Sequence, residues 1–410
     1  MTSPMRIAYL CANYLNRRGG AELHAHRLAE ELVRLGHAVT MIAAAGPLEP
    51  YPGAPYRTVA LRRDRRREER ARHWLALEHV RGGYRLSQWL LRGGTQRLLA
   101  LGPCCPELED PRFCADYDVV ALIHGGNAWP VQLAPVLRRL QGPLTVAMPL
   151  LHVREEIAEY AALRRIYSGY RLIVTNSEYE SAWMAQRGWG AERLFAVGVG
   201  SDDVRPPAES GAFRKRHGIS PDAPLVVFVG RKIFNKGVQH LIEAMDRVWD
   251  RQPQTRLALL GFAHNDPGWI PGLISKLRHP AEDRILNLDD VGEREREEAL
   301  ADGDIFCMPS ISDSFGIAYL DAWRHRKPVI GCRDCSSESV IDPNRTGLLV
   351  GFGEVAELAA ALNSLLADPG LRARMGAAGF QEWQDKWTWE RIARRTETIF
   401  ADHLAARARR

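Results

Sequence analysis

The sequence predicts two doubly wound α/β domains, and three observations carry that expectation. The 410 residues are 46% hydrophobic and 26% charged. That composition supplies a packed core, and the length suits two domains of roughly 100–200 residues each. Short apolar runs alternate with helical-period segments, the mark of βαβ units. The alternation occurs twice, on either side of a Gly-, Asp- and Pro-rich stretch at 200–207.

The elements follow in order. Residues 6–10 are a buried strand. A loop then ends in Gly19-Gly20, and 21–35 is a helix with Leu23, Leu28, Leu32 and Leu35 on one side. Gly36 and His37 stop it, and 38–43 is the next strand. Strands at 119–124, 143–150 and 172–175 complete the first half. The second half has strands at 225–229, 256–260, 305–308 and 328–330. Its helices lie at 238–248, 293–301, 316–323 and 355–366. The domains are expected at 1–203 and 204–386, with a final helix over 387–410. In open α/β sheets ligands bind at the carboxyl ends of the strands. Gly19-Gly20, His124, the 230–236 loop and the 312–321 segment all sit there.

Composition excludes some classes. The net charge is only +5, which speaks against a dedicated nucleic-acid binder. The excess is uneven: residues 1–200 hold 26 Lys+Arg against 19 Asp+Glu, and 201–410 hold 29 against 31. No apolar run approaches the about 20 residues that cross a bilayer. No secretory pattern opens the chain. Seven scattered cysteines fit a reduced cytoplasm, the expected location. Cys332 and Cys335 have CxxC spacing, but no second pair at metal spacing accompanies them.

Few residues carry chemistry. Arg231 and Lys236 place two cations just beyond a strand, and two cations one loop apart suit a diphosphate. Alone, they read first as a solvated charge pair. Asp313 precedes the helix at 316–323 and Asp321 lies in its second turn. Between them the N–H groups of Phe315, Gly316 and Ile317 make a helix start that attracts anions. Two carboxylates flanking such a site can accept sugar hydroxyls. The bland alternative is that Asp313 caps the helix and Asp321 is a surface residue. His124 ends a strand beside Gly125-Gly126, and a structural role is equally open for it. Asp302 and Asp304 form an Asp-x-Asp, a short pattern that arises by chance, and no metal is expected.

In the order and spacing of these pieces the chain resembles glycosyltransferase family 4, the retaining GT-B enzymes. The pieces are Gly19-Gly20-Ala21-Glu22, Asn176-Ser177-Glu178, Gly230-Arg231, Lys236-Gly237, 312–322, 327–330 and 346–350. The resemblance implies a GT-B fold with acceptor on the first domain, nucleotide sugar on the second, and a last helix returning to the first. It implies a hexosyltransferase-type enzyme with no cofactor and no metal, using a UDP- or GDP-type donor. Arg231 and Lys236 would neutralise the diphosphate. Asp313 would contact sugar hydroxyls, and Asp321 would hold the ribose. Phe315, Gly316 and Ile317 would offer N–H groups to sugar and phosphate. Gly20 would approach the diphosphate, His124 would sit near the sugar, and Asp290 and Val291 would lie beside the base. The family usually has Glu where Asp313 and Asp321 stand, and commonly Gly where Asp289 stands.

The implied reaction is retaining transfer to an acceptor hydroxyl by front-face attack, with the leaving phosphate as base. No carboxylate offers itself as a nucleophile for double displacement. A sugar-nucleotide epimerase or phosphorylase of the same fold, or a nonenzymatic sugar-nucleotide binder, is the alternative. The acceptor would be a sugar, glycan, lipid or small metabolite. Residues 62–72 are rich in Arg, with Trp74 and Trp89-Leu90-Leu91 nearby. The first reading of such a segment is a solvated helix face with Arg–Glu pairs; the second is contact with an anionic acceptor or peripheral contact with the inner membrane face through 62–91.

Overall fold

The computed structural model describes residues 3–16, 19–76, 103–123, 129–137, 142–153, 164, 166–202, 211–262 and 266–409. The chain divides into two compact units, Met1–Gly200 with Trp389–Arg410, and Ser201–Thr388.

The first unit is built on a seven-stranded parallel sheet. Its strands are β1 (Arg6–Leu10), β2 (Ala38–Ala44), β3 (Arg57–Leu61), β4 (Val119–Ile123), β5 (Leu144–Met148), β6 (Leu172–Thr175) and β7 (Leu194–Ala196), in the order β3-β2-β1-β4-β5-β6-β7. Ile7 sits opposite Val39 on one side and Val119 on the other. The inner strands are buried almost throughout, as strands of a parallel sheet covered on both faces must be. The helix Gly20–Arg34 buries Ala25, Leu28, Ala29 and Leu32. Leu23 is exposed instead, because five residues before Leu28 is about 140° round a helix. The last helix, Trp389–Ala408, belongs to this unit. His37 Nε2 meets Glu397 Oε1 at 3.2 Å, and Arg395 Nη1 donates to the Val197 carbonyl at 2.8 Å. His24 lies edge-on to Trp389, and burial pushes its pKa down to about 4.

The second unit is a six-stranded parallel sheet. Its strands are β8 (Leu225–Val229), β9 (Arg256–Leu260), β10 (Ile285–Leu288), β11 (Ile305–Cys307), β12 (Val329–Cys332) and β13 (Gly347–Val350), in the order β10-β9-β8-β11-β12-β13. The chain runs outward from β8 through β9 to β10, then restarts at β11 on the other side of β8. This reversal is a topological switch point, the place where such sheets hold ligands. The helix Val238–Val248 buries Leu241, Ile242, Met245 and Val248 on one stripe.

The short-run reading located every inner strand and missed β3, β7, β10 and β13, the four edges. Edge strands are covered less, and these runs are short: β7 is three half-buried residues, and β10 is four with only Ile285 buried. The strand before His124 ends at Ile123, and His124 lies outside the described residues.

Candidate active site

The switch point of the second unit brings two of the expected residues into contact. After β8 the chain passes Gly230 and Arg231 into a single 3-10 turn, Phe234–Lys236. Two bonds dock that turn on the end of β11. The Asn235 carbonyl accepts from Ile311 N at 3.0 Å and from Ser310 Oγ at 3.2 Å. Gly237 completes the dock with a left-handed backbone (φ +70°). A side chain there would strike the Pro309 carbonyl, 2.1 Å from an added Cβ, so only glycine fits.

This packing delivers Lys236 to Asp313. Lys236 Nζ pairs directly with Asp313 Oδ1 and lies 3.4 Å from the Ser312 carbonyl. Both side chains are largely buried. Ser336 Oγ donates to the Asp313 carbonyl and fixes the loop from the other side. The second carboxylate oxygen, Asp313 Oδ2, is buried with no hydrogen-bond partner among the described residues. A buried polar atom left unpaired costs free energy, and here it is an acceptor held beside a fixed cation.

Asp313 does not cap the helix that follows. The helix is Ile317–Arg324, its N-cap is Gly316, and no side chain caps it. Phe315 therefore precedes the helix, and its buried ring packs against Trp387. Gly316 is left-handed at φ +100°, and a Cβ there would come within 2.6 Å of the Tyr319 ring. Tyr319 in turn donates from its hydroxyl to the Met308 carbonyl at 2.7 Å, tying the helix to the end of β11. The first-turn N–H groups have no intrahelical acceptors, as at any helix start.

Asp321 is not a surface residue. Its side chain is 16% exposed and meets Arg324 Nη2 at 3.2 Å. Burial raises its pKa, and Arg324 works in the opposite direction. Arg324 also donates to Glu297 Oε1 (2.8 Å) and to the Asp202 carbonyl (2.9 Å). Sequence reasoning named Asp321 but not its partners: Arg324 lies three residues on in the same helix, while Glu297 and Asp202 come from other segments of the chain.

Arg231 is exposed, and its guanidinium has no ion pair or hydrogen bond among the described residues. Asp290 is exposed and Val291 half-buried in the loop after β10. Gly20 is exposed at the first position of its helix in the first unit. Within the second unit, Arg231, Asp290 and Val291 make no described side-chain contact with Lys236 or Asp313. Sequence reasoning also missed Lys232, a buried cation beside Arg231.

Other motifs are absorbed by structure. Asp302 accepts from the N–H groups of Gly211 (2.8 Å), Phe213 (2.9 Å) and Arg214 (3.1 Å). Asp304 accepts from Arg214 Nη2 (2.9 Å) and Leu225 N (2.8 Å). Cys332 and Cys335 are buried free thiols, and burial raises both pKa values.

Residues 209–382 match the family model "Glycosyl transferases group 1". A Corynebacterium glutamicum protein, a GDP-mannose-dependent monoacylated alpha-(1-6)-phosphatidylinositol monomannoside mannosyltransferase, is 32% identical over 203 residues. That match spans 47% of this chain and only about half, 51%, of the relative. The Mycolicibacterium smegmatis GDP-mannose-dependent alpha-(1-6)-phosphatidylinositol monomannoside mannosyltransferase is 27% identical, over 72% of this chain and 80% of its own. Among solved structures, sucrose-phosphate synthase from Thermosynechococcus elongatus shares the fold at a TM-score of 0.71 and 19% identity, covering 98% of this chain and 100% of that one. The fold is the GT-B fold of these solved structures. The family-model match falls within the second unit.

Proposed function

We propose that the chain moves a sugar from a UDP- or GDP-type nucleotide sugar to an acceptor hydroxyl, with retention and without a metal. One observation carries this reading. At the switch point a largely buried lysine is paired with a carboxylate whose other oxygen is buried and unpartnered, just before a helix start. Lys236 Nζ has three hydrogens, so it can serve Asp313 and a phosphate oxygen together. Asp313 Oδ2 then accepts a hydroxyl of the donor sugar.

Breaking the sugar–phosphate bond leaves negative charge on the diphosphate. Lys236, Arg231 and the N–H groups of Phe315, Gly316 and Ile317 stabilise that charge where it develops. The leaving phosphate then takes the proton of the acceptor hydroxyl, which attacks from the same face. Asp313 is committed to binding, which leaves retention to this front-face route. Asp321, braced by Arg324, holds the ribose, and the base lies at Asp290 and Val291. Arg231 and Lys236 supply the positive charge for the leaving group, so the reading needs no cofactor.

The first unit takes the acceptor, a sugar, glycan, lipid or small metabolite, with Gly20 toward the diphosphate and His124 toward the sugar. The relatives named above make GDP-mannose the first donor to try. We place the protein in the cytoplasm. Among the described residues no helix is long and apolar enough to cross a membrane. Three arginines of the basic segment are held by glutamates, in the pairs Arg63–Glu68, Arg67–Glu109 and Arg62–Glu107. Arg65, Arg66 and Arg70 remain exposed for an anionic acceptor or the inner membrane face. Residues 77–91 of that segment lie outside the described residues. Flotation with acidic liposomes tests the contact, and protein staying in the bottom fraction at low salt removes it.

The transfer itself is tested with a panel of UDP- and GDP-sugars and acceptor glycosides, reading nucleoside diphosphate release. The expected result is release from one donor by the wild type and none by a folded Lys236→Ala variant. Undiminished turnover in that variant overturns the assignment.

A further inference from the structure

Asp289 occupies a position where a glycine was expected, and Lys232 shows what the carboxylate does there. Lys232 is one of only six lysines in the chain. Its side chain is fully buried. Its backbone N–H donates to the Phe262 carbonyl at 2.7 Å, so the chain crosses the end of β9 at this point. The side chain continues to β10. Nζ donates to Asn287 Oδ1 (2.5 Å), the Leu288 carbonyl (3.1 Å) and Asp289 Oδ1 (2.7 Å). An ammonium has three hydrogens, so every donor of Lys232 is spent on this one loop and none is left for a phosphate. Burial lowers the Lys232 pKa, and Asp289 pulls it back up.

A buried charge is costly unless it is paired and hydrogen-bonded. Here the cost is offset by a clamp that fixes the loop after β10. Asp289 itself is 55% exposed. Only Oδ1 takes part in the clamp, and Oδ2 has no hydrogen bond among the described residues. The free oxygen stands one residue before Asp290, at the carboxyl edge of the sheet that also carries Arg231 and Lys236.

We propose that Lys232 and Asp289 select the nucleobase of the donor: the clamped Asp289 presents Oδ2 to a ring N–H, admitting guanine or uracil and rejecting adenine and cytosine. The inference rests on the reading of Asp290 and Val291 as the base end of a nucleotide site. A carboxylate at neutral pH only accepts hydrogen bonds. Guanine N1 and uracil N3 carry a hydrogen and satisfy it. Adenine N1 and cytosine N3 are acceptors, so two lone pairs would face each other and both would lose their water partners. An unmet partner of this kind costs about tenfold or more in affinity. Lys232 does not touch the base and is a positioning residue acting through Asp289.

The test is titration calorimetry of the full chain with GDP, UDP, ADP, CDP and inorganic pyrophosphate. The wild type is expected to bind GDP or UDP about tenfold or more tightly than ADP and CDP. Asp289→Asn keeps an oxygen for Lys232 and turns an N–H2 group outward. It should narrow or reverse that ratio while pyrophosphate affinity stays the same. Lys232→Met should also lose the discrimination, and because it can fail to fold, the isosteric Asp289→Asn variant decides. Equal wild-type affinity for all four nucleotides, or an unchanged ratio in Asp289→Asn, overturns the inference and leaves the nucleotide site standing. No binding of any nucleotide or of pyrophosphate removes the nucleotide site and the inference together.

Discussion

Lys236 and Asp313 act as one unit, so their effects on stability are expected to be coupled. Each single alanine variant strands a largely buried partner. A double-mutant cycle in denaturant should give an interaction energy of about 0.5–3 kcal/mol, and simple additivity would show that the pair is not formed in solution. Arg231 is the opposite case. It is exposed and unpaired among the described residues, so Arg231→Ala should change stability by less than about 0.5 kcal/mol. Its transfer rate should fall by about 10²–10³-fold through lost charge stabilisation. A normal rate would remove Arg231 from the site. The sequence showed both cations because their spacing is local. It hid Lys232, since a lysine in a strand-end loop reads as a solvated charge. Its burial depends on Asn287 and Asp289, which fold in from 55 and 57 residues away.

At the scale of elements, the site depends on two glycines that set loops against β11. Gly316→Ala must place a side chain at φ +100° and move the Tyr319 ring. The left-handed backbone alone costs about 1–2 kcal/mol. A thermal melt should show a lower midpoint, and transfer should fall further than stability because the helix start shifts. An unchanged midpoint would mean that the 315–319 turn is not built as described. The inner strands were legible as short apolar runs because parallel strands buried on both faces have no other way to be written. The edges were not: β7 is apolar but only three residues long, and Arg57 and Thr58 of β3 and Asn287 of β10 break runs that are already short. The helix start was placed at 316 rather than Ile317 because a left-handed glycine cap leaves no side-chain signature.

At the scale of the whole molecule, two compact units should not unfold as one two-state body. Each carries a buried carboxylate with an opposite pH signature. In the first unit, burial pushes the Glu180 pKa up to about 7, against its two backbone donors, Leu151 N and Asn176 N. The folded state then holds a proton that the unfolded chain releases near the ordinary value of 4.5. Stability from this group falls as pH rises from about 4.5 to 7. In the second unit, Asp246 titrates at about 2 despite burial, because hydrogen bonds from His279 and Arg278 outweigh it. Its contribution is full above the ordinary 3.8 and disappears as pH falls toward 2. Melts across pH 2–8 should show a neutral-side decline assigned to the first unit and an acid loss assigned to the second. Asp246→Asn should flatten only the acid limb, and a variant that leaves that limb intact would contradict the pairing.

The most direct measurement is the thermal midpoint of the second unit's transition with saturating GDP and UDP, in the wild type and in Lys236→Ala. A ligand that binds only the folded state raises the midpoint. The expected result is a clear rise with at least one of the two nucleotides in the wild type, and loss of that rise in the variant. No rise with either nucleotide, or the same rise without Lys236, would contradict a nucleotide sugar held at the Lys236–Asp313 pair.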